Sequence, residues 1–225
     1  MRQDKGFSTL ELLIVFAIFV VLVTLSVLTL APHRRMVKTD NAAMALYSVS
    51  RQARVQAITR RQFYAVVINI DDVKQTFTLS NSTQSLNFEP HTVTLVDMGA
   101  FFDTTDETIA FVKGLPADVL INQGLFTLPT ASSAFTAPES IFTAPDLASS
   151  KTFVIYFDPA GRAVTTANNN GTQQYLTFYF YSSDINVGKS QPLMRAITVY
   201  GATGGIKLWR CDVGGTPPLR WVAQR

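Results

Sequence analysis

Polar and apolar positions divide the chain into three regimes. From Leu12 to Ala31 come 20 consecutive uncharged residues, nearly all apolar, with no polar face at a helical period. A segment apolar all round is not the surface helix of a soluble domain. As a helix it is roughly 30 Å long, the thickness of a bilayer's hydrocarbon core. Pro32 follows and removes a backbone donor, so it either kinks or breaks the helix. From Thr39 to Gln62 good helix formers return, with Thr39, Asp40 or Asn41 placed to cap a restarted helix. Leu46, Val49, Ala53 and Ala57 recur at intervals of three and four, a stripe suited to packing on a domain.

After Gln62 the period shortens. Phe63–Ile70 and Thr76–Ser80 flank DDVKQ and predict a β-hairpin. Further strands are expected at Thr92–Val96, Thr108–Val112, Thr152–Phe157, Tyr175–Tyr181, Arg195–Tyr200 and Ile206–Arg210, the last two joined by the turn Gly201–Gly205. Leu128–Ser150, rich in Ser, Thr, Ala and Pro, contains AFTAPES followed by IFTAPDL and predicts a surface loop. The expected fold is α+β: a long N-terminal helix packed on a mostly antiparallel sheet. Its parts are a short segment 1–6, an apolar helix 7–31, an amphipathic continuation 32–62 and a β-rich domain 63–225.

Charge sharpens this division. The formal charge of +3 conceals two basic ends around an acidic middle. Pro32–Arg61 has seven Lys and Arg against Asp40, Gln62–Met194 has five against twelve Asp and Glu, and Arg195–Arg225 has five against Asp212. Arg51, Arg54, Arg60 and Arg61 stud the second helical stretch, either as a solvated face or as a surface for an acidic neighbour. The single Cys211 excludes an intrachain disulfide, and no paired-cysteine metal spacing exists. His33 and His91 are the only histidines, Asp71–Asp72 and Asp106–Glu107 fall in turns, and no phosphate-binding loop is present. Neither an enzyme, nor a cofactor, nor a metal is expected.

One residue disturbs the apolar start. Glu11 lies in KGFSTLELLIVF, where a carboxylate is costly and, by default, functional. A secretory signal would have a shorter apolar run, and a plain anchor leaves Glu11 unexplained. The stretch KGFSTLE closely resembles the processing site of type IV prepilins and type II secretion pseudopilins: a short basic leader ending in glycine, then phenylalanine, with glutamate at the fifth mature position. The resemblance implies cleavage between Gly6 and Phe7 by a prepilin peptidase, which also N-methylates Phe7. It further implies that Glu11 neutralises the new terminal ammonium, its own or a neighbouring subunit's. The leader would then face the cytoplasm, the chain would cross the bacterial inner membrane once, and the domain would lie outside it. Implied partners are the peptidase/N-methyltransferase, other pilin or pseudopilin subunits and an inner-membrane assembly platform.

Within that class the order of ARVQAITRRQFYAVVI, IYFDPAGRA and AITVYGATGGIKLWR is similar to pseudopilin H and the FimT-like minor pilins. The resemblance implies a structural subunit that primes or caps a pilus or pseudopilus. Some FimT-like proteins bind DNA through a basic C-terminal stretch during natural transformation. Here Lys207, Arg210, Arg220 and Arg225, interleaved with Trp209 and Trp221, form a comparable patch with cations for phosphates and rings for bases.

Overall fold

The computed structural model describes residues 9–79, 85–99, 108–125, 152–167, 171–182, 194–212 and 220–224. The chain forms two compact units, the first ending at Val37 and the second running from Lys38 to Arg225. A single helix, α1, covers Thr9–Arg60. The helix continues through Pro32, so no restart and no new cap occur at Thr39–Asn41. Thr39 is buried instead, and Asp40 is drawn to a strand far along the chain. At its end Gln62 N–H donates to the Ala57 carbonyl (3.3 Å) while Arg61 takes a left-handed φ of 55°. This is the backbone reversal that normally selects glycine.

In the second unit, among the described residues, α1 is followed by twelve strands: β1 Tyr64–Asn69, β2 Gln75–Thr78, β3 Ser85–Phe88, β4 Thr92–Asp97, β5 Thr108–Gly114, β6 Val119–Leu125, β7 Thr152–Phe157, β8 Ala163–Val164, β9 Leu176–Ser182, β10 Arg195–Tyr200, β11 Gly205–Asp212 and β12 Arg220–Ala223. They make two five-stranded sheets, in the orders β5-β4-β1-β7-β8 and β12-β11-β10-β9-β6, and a β2-β3 ribbon. The paired strands are antiparallel.

The α+β architecture is as expected, with two sheets in place of one. The stripe Leu46, Val49, Ala53 and Ala57 is fully buried. It joins Tyr64, Val66 and Ile68 of β1, Phe178 and Phe180 of β9, and Ile197 and Val199 of β10 in one core. Small residues on this helix face let both sheets approach the backbone closely.

The expected hairpin of β1 with β2 does not form. β1 pairs instead with β4 and β7, in registers such as Val66↔Leu95 and Val66↔Ile155. Its other face, Ala65 and Val67, is covered by Leu79 and Phe88 of the ribbon region. Buried Asn69 shows why the chain turns away. Its amide donates to the carbonyls of Phe88 (3.1 Å), Glu89 (3.0 Å) and Val73 (3.3 Å), and its oxygen accepts from Asp71 N–H. That side chain satisfies backbone groups a hairpin would have paired, and it steers DDVKQ out to meet β3.

Tyr64 links the helix end to β4. Its hydroxyl donates to Asp97 Oδ2 (2.7 Å), which also accepts from Arg60 (3.1 Å). Burial, and then the bond to the Asp97 carboxylate, push the phenol from 10.0 up to about 12. A raised folded value means the stabilisation is complete below the unfolded value and is lost as pH rises through the folded one. Wild-type stability is therefore expected to fall more steeply than that of Tyr64→Phe across pH 10.0 to about 12. At neutral pH the variant should be weaker by about 1 kcal/mol. Denaturant titrations of both proteins across the alkaline range check this, and parallel pH profiles would refute it.

Candidate assembly and contact sites

Within the first unit, Thr9–Ser26 present their side chains outward. From Thr9 to Ser26, α1 is long and apolar enough to cross a membrane, and none of this window is buried. Leu12, Leu13, Phe16 and Phe19 each expose more than half their surface. Two of the hydroxyls in the segment fold back on the helix, Thr24 donating to the Val20 carbonyl and Ser26 to that of Leu22, each at 2.8 Å. Such back-bonding keeps these two hydroxyls from presenting unsatisfied donors to apolar surroundings. Glu11 lies in the first turn, where the helix's unsatisfied N–H groups favour a negative charge. Gly6 and Phe7 lie outside the described residues, as does Leu128–Ser150.

The four arginines of the second helical stretch separate by role. Arg54 Nε donates to the Gly161 carbonyl (3.3 Å), and Arg60 bonds Asp97. Arg51 stacks over Tyr47 at 5.5 Å. Arg61 is exposed at the left-handed position. Three of the four are thus engaged within the domain.

Arg54 sits where the sheets meet. The turn after β7 is built on buried Asp158, whose carboxylate accepts from Ala160 N–H (3.0 Å), Arg162 N–H (2.7 Å) and the Arg162 guanidinium (2.6 Å). This turn touches the β10–β11 turn: Ala163 N–H donates to the Gly201 carbonyl (3.1 Å). Gly161 and Gly204 both have positive φ, 76° and 59°. A Cβ on Gly204 would lie 1.7 Å from the Gly161 oxygen.

The C-terminal patch is divided by the alternation of β11. Leu208 enters the core shared with α1, so Lys207 and Trp209 take the opposite face. Trp209 is 9% exposed and its indole N–H donates to Thr198 Oγ1 (3.0 Å). Lys207 is exposed and rests over the rings of Tyr200 (5.5 Å) and Trp209 (5.9 Å). Arg210 is exposed and stands across from Arg195 in the β10 register. The backbone at Arg220 and Trp221 lies in β12, opposite Asp212 and Cys211; Arg225 is outside the described residues.

A charged pair that sequence reading missed lies at the helix–sheet boundary. Arg195 is 1% exposed; its Nε donates to Asp40 Oδ1 and its Nη1 to the Met194 carbonyl (2.9 Å). The available signal was an arginine at the head of a strand otherwise composed of Ala, Ile, Thr, Val and Tyr. Among the described residues no group of three or more His, Cys, Asp or Glu is placed to hold a metal ion.

No protein-family model matches the sequence, and no curated protein matches it. Among solved structures, the type IV minor pilin FimU of Pseudomonas aeruginosa strain PAO1 is similar, at 12% identity and a TM-score of 0.41. The match covers 75% of this chain and 86% of that one.

Proposed function

We propose that this chain is a minor pilin or pseudopilin, a structural subunit that primes or caps a type IV pilus or type II secretion pseudopilus. The observation that carries this reading is the start of α1: about five turns of outward-facing apolar surface with Glu11 as their one charge. Surface of that extent is covered in use, by lipid before assembly and by other subunits' helices afterwards. Cleavage after Gly6 makes Phe7 the methylated N-terminus. Glu11 then meets the terminal ammonium of a neighbour where low dielectric makes the pair strong and either charge alone expensive. The assignment to the pseudopilin H and FimT-like group draws its support from the order of α1, the Asp158 turn and the β10–β11 hairpin.

Two variants test the reading. Gly6→Ala is expected to keep its leader when co-expressed with a prepilin peptidase, and an intact mass starting at Phe7 would contradict that. Glu11→Val is expected to insert and be cleaved, yet to enter filaments about tenfold less, the equivalent of roughly 1.4 kcal/mol. Wild-type incorporation would remove the charge pair from the mechanism. A second reading, DNA contact through β11, is favoured by exposed Arg210, with Lys207 on the strand's other face and outside that contact. It requires binding that weakens steeply with salt and weakens further in Arg210→Ala; no binding at low salt eliminates it.

A further inference from the structure

β5, TIAFVKG, is an edge of the first sheet, and among the described residues it pairs with β4 alone. Ile109, Phe111 and Val112 each expose more than two-fifths of their surface, and Ala110 and Gly114 are exposed as well. Because Ile109 to Val112 are successive, both faces of the strand are open to water as well as its edge. The backbone alternates too. Leu115 N–H donates to the His91 carbonyl (2.6 Å), and the next residues, Gly114 and Thr92, stand opposite each other. Antiparallel order therefore turns the backbone groups of Phe111 and Lys113 toward β4, and those of Val112 and Gly114 outward. Edges are ordinarily blunted by charge or by a bulge. The one charge here, Lys113, has its Nζ 3.4 Å from Ser48 Oγ, drawn toward α1 rather than across the edge. The bulge, where the register with β4 shifts between Leu95 and Val96, falls in the first half of the strand, upstream of Phe111. We propose that the outer edge of β5 pairs antiparallel with β5 of a second copy of this chain, centred on Val112, joining two five-stranded sheets into one. The proposal goes beyond the filament reading and stands without it.

Charge and parity choose the occupant and its register. Centred on Val112, that residue exchanges both backbone hydrogen bonds with its copy, since its N–H and carbonyl face outward. Lys113 then stands opposite Phe111 at two symmetric places, a cation beside a ring each time. Ala110 stands opposite Gly114, where a Cβ would meet nothing within 4 Å. Centring on Lys113 instead, or pairing parallel in register, sets lysine against lysine. The strand is thus complementary to itself in one arrangement and repelled in its neighbours. The paired run is far shorter than the roughly 20–30 residues a side of a standard interface, so association is weak and favoured where chains are crowded together.

The test uses the full chain in neutral detergent micelles, with Cys211→Ser and one cysteine introduced at a time. Opposed residues of a hydrogen-bonded pair have Cα atoms about 5.5 Å apart, within disulfide reach. Under mild oxidation Val112→Cys is expected to give linked dimer about tenfold faster than Asn41→Cys, because pairing raises the concentration of one thiol at the other. Asn41 is an exposed position on α1 and serves as the control. Adding Phe111→Lys should remove the advantage by placing lysine opposite lysine. Phe111→Lys/Lys113→Glu should restore it by placing opposite charges there, which also shows that the altered strand still folds. Equal rates for Val112→Cys and Asn41→Cys would overturn the proposal. So would a fast Val112→Cys reaction unmoved by Phe111→Lys, which would assign the association to the apolar helices instead. Failure of the charge swap to restore a rate lost in Phe111→Lys would overturn the register centred on Val112.

Discussion

Gly204→Ala is expected to lower the domain's stability by about 4 kcal/mol, enough to reduce Tm by roughly 10 °C in a chain of this size. Two costs combine. The φ of 59° at Gly204 is strained for any residue with a Cβ, and the added carbon would lie 1.7 Å from the Gly161 oxygen. The obstacle is backbone, so no rotamer change relieves it. To make room, the two turns must part, which breaks the Ala163–Gly201 hydrogen bond between the sheets and lifts Gly161 from Arg54. Gly161→Ala should cost less, because its new carbon meets the end of the Ile58 side chain, which can move. Gly114→Ala, with nothing within 4 Å of the added carbon, should be nearly neutral. Thermal melts of the three variants would refute the argument if Gly204→Ala melted with Gly114→Ala.

The second large effect is expected at Asp40. Removing one partner of a buried ion pair costs about 3–5 kcal/mol because the other charge is left uncompensated. Asp40 retains 37% of its side-chain exposure, so water partly replaces it and the expected loss for Asp40→Ala is about 2–3 kcal/mol. Arg195, at 1% exposed, has no such recourse. The double variant Asp40→Ala/Arg195→Met should therefore be more stable than Asp40→Ala alone, since a buried cation that has lost its bond to Asp40 is gone. Denaturant midpoints for the cycle decide it. If the double variant is weaker than Asp40→Ala by the full cost of a second deletion, the two residues act independently.

Much of the fold was legible where one physical signal dominated. The stripe Leu46–Ala57 identified the packed face of α1 because spacing there coincides with burial. Thr152–Phe157 and Arg195–Tyr200 coincide with β7 and β10 because β-branched and aromatic residues fill them. β3, β6, β12 and the two-residue β8 were not anticipated. SLNF and RWVA are only four residues long, and VLINQGL mixes Asn, Gln and Gly into a strand. The hairpin was misplaced in part because β1 is buried on both faces, so its sequence has no alternation to fix its partner. The hydrogen bonds of Asn69 that redirect the chain depend on carbonyls nearly twenty residues away.

The candidate sites show the same split. Glu11 stands out because a carboxylate at the start of an apolar run has few bland explanations. The C-terminal patch was assembled from composition alone, although period-two alternation places Lys207 and Arg210 on opposite faces of β11. The same parity sets Trp209 beside Lys207, and the pairing with β10 brings it to Thr198.

The way α1 is held within the second unit also dictates when that unit can close. Asp40 waits for a partner 155 residues further on, and Leu46 and Val49 share a core with Leu208 of β11. β1 is complete only when β7 arrives to flank it. A chain made from its N-terminus must therefore be nearly complete before the helix's inner face is covered. Folding is consequently a late, slow event governed by distant contacts. Until then the strand YAVVIN, buried along its whole length in the finished domain, stays short of one neighbour, for a time set by how fast the remainder of the chain is made.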